Sequence, residues 1–353
     1  MRHPPATRLH APGSMKQGFR ITTAAWAALL ATVLPAGAAP RPDQVGGPES
    51  CAECHIQEIE AWKQSVHFKT FNELHRKPET AAMLARLGLS RIKHEPKCMD
   101  CHYLNRLEDD AIKATSGVSC ESCHGAGRDW AATHGDYGKG ITKLTESAEH
   151  RRARLAQALG AGMIVRENLY ALGASCYQCH VLSDEKLVNV GGHPPASEGF
   201  NLLTWSQGEV RHTILHTDNR ANPEATPEQR RRLYVLGLIL ETEYGFRAVA
   251  GATEKADFGL TLARRTDTAR KQLEKIQALA PTPELAAIVA VAQATRLRLN
   301  NAAELNAAAE KLSELGRGFA AKVTGEQLAG IDALVPAATQ YRGKPYVVPG
   351  GKP

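Results

Sequence analysis

Four stretches in the last third of the chain, Arg230–Val249, Asp257–Leu279, Leu285–Leu299 and Ala303–Ala321, repeat apolar residues at the three- and four-residue spacing of a helix face. Two of them open on start signals. Thr226-Pro227-Glu228-Gln229 and Thr282-Pro283-Glu284-Leu285 each offer a Thr N-cap, Pro at the first helical position and acid in the first turn. The pattern predicts an antiparallel helical bundle over 223–340 with no cofactor of its own. Residues 341–353 (YRGKPYVVPGGKP) read as a flexible tail or a segment draped over the body. Ile56 to Phe68 is a further helical stretch, with an apolar side.

The apolar run Ile21 to Leu34 falls short of the roughly 20 residues that a membrane span needs. It follows MKQGFR and precedes Pro35-Ala36-Gly37-Ala38, which ends in an A-x-A site. That order is expected of a secretory signal over 1–38, cut near Ala38, with an uncleaved anchor as the alternative. The expectation is a periplasmic protein that touches a membrane only through a partner or such an anchor. Charge is read after this step: 1–38 hold four basic residues and no acidic one, so the formal +6 becomes +2. Such a balance gives no argument for nucleic acid.

Composition then changes the picture of the interior. Aromatic residues make up 5% of the 353, lean for a core of this size, so another flat apolar group is expected inside. The cysteines say which. All eight fall into pairs with two residues between, Cys51/Cys54, Cys98/Cys101, Cys120/Cys123 and Cys176/Cys179. Alone, such pairs suit disulfides, zinc or redox dithiols. Each pair is followed at once by histidine, in CAECH, CMDCH, CESCH and CYQCH, giving His55, His102, His124 and His180. CxxCH attaches c-type haem: two thiols on one tight turn reach the two vinyl groups, and the histidine lies under the ring as proximal iron ligand. Four such motifs predict four covalently bound haem c, a cofactor-wrapped, mainly α core over 51–222 with little regular sheet, and 39–50 as a linker. Each ferric haem brings a core charge of +1 and two ionised propionates, so four of them move the net charge to about −2.

The far-side ligands are sought among His67, His75, His94, His134, His150, His193, His212 and His216. His67 follows a helix-like stretch, His134 lies between two Gly-flexed turns, and His193 stands in VGGHPP, where glycines allow close backbone approach. His212, in SQGEVRHTILH, reads as the opening of a helix, with His216 one turn on. His75 and His150 sit among charges and read as solvated. His94 is too close to Cys98 to reach the far face of its own haem. Methionine is a poor alternative: Met83, Met99 and Met163 remain beyond the signal, and Met99 is inside a haem-binding turn.

The segments CAECHIQEIEAWKQSVH, CMDCH, GVSCESCHGAGRDWAATH and CYQCH resemble the tetrahaem cytochrome c-554-type family, periplasmic electron carriers associated with hydroxylamine oxidation. The resemblance covers about 51–180. It implies that His134 caps the haem of His55, that His67 caps the haem of His124, and that the haem of His102 is five-coordinate. The family also places a histidine shortly before the fourth motif, where ENLYALGASCYQCH has none. His193 is therefore assigned to the haem of His180, and His212 to the haem of His102. The expected function is electron transfer between redox partner proteins rather than catalysis, with no catalytic residue named. The alternative is a multihaem reductase or oxidase acting on a small nitrogen or sulfur compound at one open iron.

Overall fold

A computed structural model describes residues 1–2 and 39–351; the stretch 3–38, on which the secretory signal falls, lies outside the described residues. The described chain is mainly α, with one two-stranded sheet.

The cysteine-rich part is built from short helices stopped locally. Helix α1 (Glu49–Ala52) carries Cys51, α2 (Ile56–Gln64) starts directly after His55, and α3 (Val66–Glu73) starts after Ser65. The single helix expected over Ile56–Phe68 is thus two. Ser65 adopts extended backbone, donates its hydroxyl to the Trp62 carbonyl at 2.6 Å and accepts the Phe68 N–H at 3.3 Å. Serine can do this because its hydroxyl offers backbone groups a local alternative to the helix ladder. Helix α4 (Pro78–Leu87) starts on proline and ends on Gly88 in the left-handed region, at φ 71°.

Helix α5 (Pro96–His102) holds the second motif and runs into a hairpin of β1 (Tyr103–Glu108) and β2 (Ala111–Gly117). Asp109 and Asp110 turn it with φ of 49° and 61°, the pair of positive values that a tight hairpin turn requires. Strand β2 lies against α3 so closely that a Cβ on Gly117 would stand 2.0 Å from the His67 carbonyl oxygen. Helix α6 (Cys120–His124) is the third motif, α7 (Ala131–Gly135) carries His134, and α8 (Ala148–Gly160) packs on α7. Helix α9 (Leu169–His180) ends in the fourth motif, and the short α10 (Glu185–Asn189) and α11 (Leu202–Ser206) follow.

The bundle comprises α12 (Pro227–Ala250), α13 (Asp257–Leu279), α14 (Pro283–Ala294) and α15 (Ala302–Lys322). Its start signals act as read: Thr226 accepts the Gln229 N–H, and Thr282 accepts the Leu285 N–H. Helix α14 stops short of Leu299, where the periodic pattern ends. A tertiary contact cuts it: Arg270 of α13 donates to the carbonyl of Thr295, which is extended, at 3.0 Å.

One apolar core unites the bundle with α9. Tyr170, Ala174 and Tyr177 of α9 are buried with Ile239, Phe246, Phe258, Leu273, Leu312 and Phe319 of the bundle. Inside it, the Tyr170 hydroxyl donates to Glu243 at 2.6 Å, and Tyr177 donates to the Gly237 carbonyl at 2.7 Å. Burial pushes the Glu243 carboxyl above its ordinary range, opposed by Tyr170 and Arg247. The line between 222 and 223 therefore crosses a packed core. The tail is draped: Tyr346 and Val348 are buried with Ala61 and Ile214, and the Tyr346 hydroxyl donates to Gln57 at 2.8 Å.

Candidate haem centres

Each CxxCH segment is a single turn that brings its two thiols and its histidine to one side. His102, His124 and His180 end helices α5, α6 and α9, while His55 caps the start of α2. All eight cysteines are free thiols. Among the described residues no three His, Cys, Asp or Glu side chains converge as a zinc centre of protein ligands would require.

What each motif histidine faces is a second histidine. His55 and His134 lie with ring centres 6.3 Å apart and planes 13° from parallel. His67 and His180 are 6.2 Å apart at 44°, His102 and His193 6.1 Å at 50°, and His124 and His212 6.1 Å at 82°. Two imidazoles sharing one metal ion through bonds of about 2.0 Å, each ring centre about 1.1 Å behind its nitrogen, stand about 6 Å apart. The four separations fit that geometry, and in each pair the gap is right for one porphyrin-bound iron.

The ring nitrogens that remain support the same orientation. Nδ1 of His124 lies 2.8 Å from the Ile164 carbonyl, that of His193 2.8 Å from the Pro194 carbonyl, and that of His212 2.7 Å from the Val210 carbonyl. Nδ1 of His180 lies 2.7 Å from the Ser197 hydroxyl. An Nδ1–H held by such an acceptor leaves the Nε2 lone pair for a metal. Burial holds the imidazoles neutral: it is the largest cause that lowers His102 to about 4 and His180 to about 3, and it lowers His67, His124 and His134 as well. Neutral imidazole is the ligating form.

His134 stands beside His55, the partner that the resemblance implied. The other three stand elsewhere than expected. His67 faces His180 rather than His124, because Gly117 lets α3 settle on β2, with Thr70 of α3 3.3 Å from the carbonyl of His102. His193 faces His102 rather than His180, because Arg86 of α4 donates to the Gly191 carbonyl and binds that loop to the second motif's neighbourhood. His212 faces His124 rather than His102; it opens no helix, and the loop that carries it is tied to α2 by the Leu215 N–H on Glu58. His102, for which the resemblance implies an open far side, thus has a histidine opposite it. Among the described residues, none of His75, His94, His150 and His216 pairs with a motif histidine.

Several supports went unread in the sequence. Glu121, inside the third motif, is 1% exposed and accepts backbone N–H groups of Gly46, Gly47 and Gly127 at 2.9, 2.8 and 2.6 Å. It pins the 39–50 segment to the third motif. Arg154 donates to the His134 carbonyl and, through two nitrogens, to Glu146 at 2.7 and 2.8 Å. That pairing, with His150, holds the Glu146 carboxyl down at about 2. The Phe200 ring stacks on His180 at 4.4 Å, with Trp205 edge-on at 5.0 Å.

Residues 50–125 match the sequence profile of the cytochrome c554 and c-prime family. This c554-like segment takes in the first three CxxCH motifs and ends just past His124. The chain is also 30% identical over 107 residues to cytochrome c-554 of Nitrosomonas europaea. That alignment covers 28% of this chain and 45% of the relative, so the chain spans about half the length of the protein it matches. No solved structure matches. The fourth motif and the bundle lie outside the c554-like segment named by the profile.

Proposed function

We propose that this protein is a periplasmic tetrahaem c-type cytochrome that passes electrons between redox partner proteins through four haem c groups, each ligated by two histidines. The observation that carries the reading is the set of four histidine pairs at 6.1–6.3 Å, each joining one CxxCH histidine to a histidine from outside the motifs. The cysteines Cys51, Cys54, Cys98, Cys101, Cys120, Cys123, Cys176 and Cys179 would hold the porphyrins. Bound haem supplies a one-electron iron couple and a delocalised ring edge. The protein's part is to keep both axial positions filled by fixed imidazoles, so that oxidation state changes without a change of ligand.

Contacts between motifs support a single file. Cys51 of the first motif lies beside Cys120 of the third, and Cys101 of the second beside Cys179 of the fourth. Cys123 of the third motif lies near enough to Cys176 of the fourth to raise its thiol, after burial. The order is first, third, fourth, second. The histidine opposite His102 favours the carrier over a reductase or oxidase, which would need an open iron. The partner at the second-haem end would be acidic: Lys93 stands over the Tyr103 ring directly after the second motif, with Arg76 near it, and among the described residues neither forms an ion pair with Asp or Glu. Export and processing near Ala38 remain part of the proposal.

Mass spectrometry of the denatured protein tests the cofactor count. The expected species starts near Ala39 and carries four haems; free thiols or zinc would overturn the reading. Carbon monoxide added to the reduced protein tests ligation. No prompt binding is expected, and prompt binding at one haem would return the enzyme.

A further inference from the structure

Glu58 stands three residues after His55, on the first turn of α2, with its side chain 12% exposed. Its two oxygens have unlike surroundings. Oε1 accepts the Leu215 backbone N–H at 2.8 Å. Oε2 is buried, has no hydrogen-bond partner, and lies 3.9 Å from Nδ1 of His55. A buried carboxylate oxygen without a donor is unfavourable, and the nearby imidazole nitrogen is the donor that would satisfy it. On the Glu58 side the packing is apolar: Ala61 and Ile214 are 2% and 0% exposed, and the draped tail covers them with Tyr346 and Val348, while the His55 side chain is 32% exposed.

The other motif histidines differ. His124 and His180 direct Nδ1 at a carbonyl and a hydroxyl, both neutral. Among the described residues, His55 alone of the four has a carboxylate at its Nδ1. A carboxylate accepting the Nδ1–H of a metal-bound histidine raises the basicity of the ligating nitrogen and favours the more positive metal. A charge screened from water by packed side chains acts more strongly than one at the surface.

We propose that Glu58 is a positioning and tuning residue for the first haem: its Oε2, 3.9 Å from Nδ1 of His55, presents a carboxylate to that nitrogen and lowers that haem's reduction potential. The inference rests on the tetrahaem reading above. The first haem is one of the file's two ends, so the effect falls on an end and favours the oxidised state there. The same carboxylate also ties the first centre to the loop of His212, since Leu215 follows that histidine by three residues.

The test compares the holoprotein with Glu58→Gln and Glu58→Asp by spectroelectrochemical titration and electron paramagnetic resonance. Glutamine keeps an acceptor for the Leu215 N–H but puts a donor where Oε2 was, so the loop stays anchored while the contact to His55 is lost. The expected result is four retained haems, all low-spin, with one potential raised and one low-spin signal moved. That signal should be the one that His134→Ala converts to high spin. Aspartate should return the potential part of the way. An unmoved or lowered potential in Glu58→Gln, a shift at another haem, or loss of haem in Glu58→Gln alone would overturn the proposal. Fewer than four haems in the unaltered protein would instead overturn the tetrahaem reading itself.

Discussion

Gly117→Ala is a change of one methyl group at a position that carries no ligand, yet it should open the fourth haem. The added carbon would stand 2.0 Å from the His67 carbonyl oxygen, 3.1 Å from its carbonyl carbon and 2.9 Å from Thr70 Oγ1. Carbon–oxygen contacts settle near 3.3 Å, so β2 and α3 must part by about 1.3 Å. His67 moves with α3. Metal–imidazole distances tolerate only about 0.2 Å, so the imidazole opposite His180 is carried out of ligating range. Overpacking of this kind costs about 1–3 kcal/mol, which should lower the melting temperature by a few degrees. The assay is carbon monoxide binding to the reduced protein together with the high-spin signal of the oxidised one. The unaltered protein should show neither, and Gly117→Ala should show one haem's worth of each. Gly160→Ala is the control, because a Cβ there meets nothing within 4 Å and the residue lies at the end of α8. It should be neutral or stabilise by about 0.4–1 kcal/mol. A Gly117→Ala protein with unchanged melting and ligation would refute the close-approach argument. High-spin iron at a haem other than the fourth would refute the pairing of His67 with His180.

The remaining far-side histidines should separate in the same assay. His193→Ala should open the haem of His102 and His212→Ala that of His124, with all four haems still attached; the reverse assignment would contradict the ring pairs. Glu146, held at about 2 against an ordinary 4.5, contributes stability that is complete above pH 4.5 and is lost as pH falls toward 2, so the Arg154 clamp on His134 should hold into that range. In Glu146→Gln the first haem should turn high-spin at higher pH than in the unaltered protein, as followed by an absorbance titration. Removing 226–340 should cost the fourth haem as well as the bundle, because Tyr170 and Tyr177 of α9 lose their cover, at about 1.5–3 kcal/mol for each buried side chain. A truncated protein that retains four haems by mass would show that α9 holds its motif unaided. Arg76→Glu with Lys93→Gln should weaken the decline of electron exchange with an acidic redox protein as salt rises; an unchanged salt dependence in stopped flow would place the port elsewhere.

Some features of this protein are local, and for those the chain order is enough. The CxxCH turns set two thiols and a histidine on one side of a single turn whatever surrounds them, so eight cysteines and four histidines were legible at once. The caps at Thr226 and Thr282 and the whole of α13 follow from residues within one or two turns of each other. The choice of His67, His134, His193 and His212 from eight spare histidines also came from local context and family resemblance. Which motif each one faces did not, apart from His134. That depends on contacts between residues far apart in sequence: Gly117 admitting the backbone of His67, Arg86 holding Gly191, and Glu58 holding Leu215. Spacing along the chain bounds how far a histidine can reach, and all four motifs lie within reach of each. The same holds for Glu121, whose three N–H donors come from both sides of its motif, and for Ser65, which divides a stretch of unbroken helical pattern. Periodicity measures what a segment buries, and ligand pairing is decided by what it is buried against.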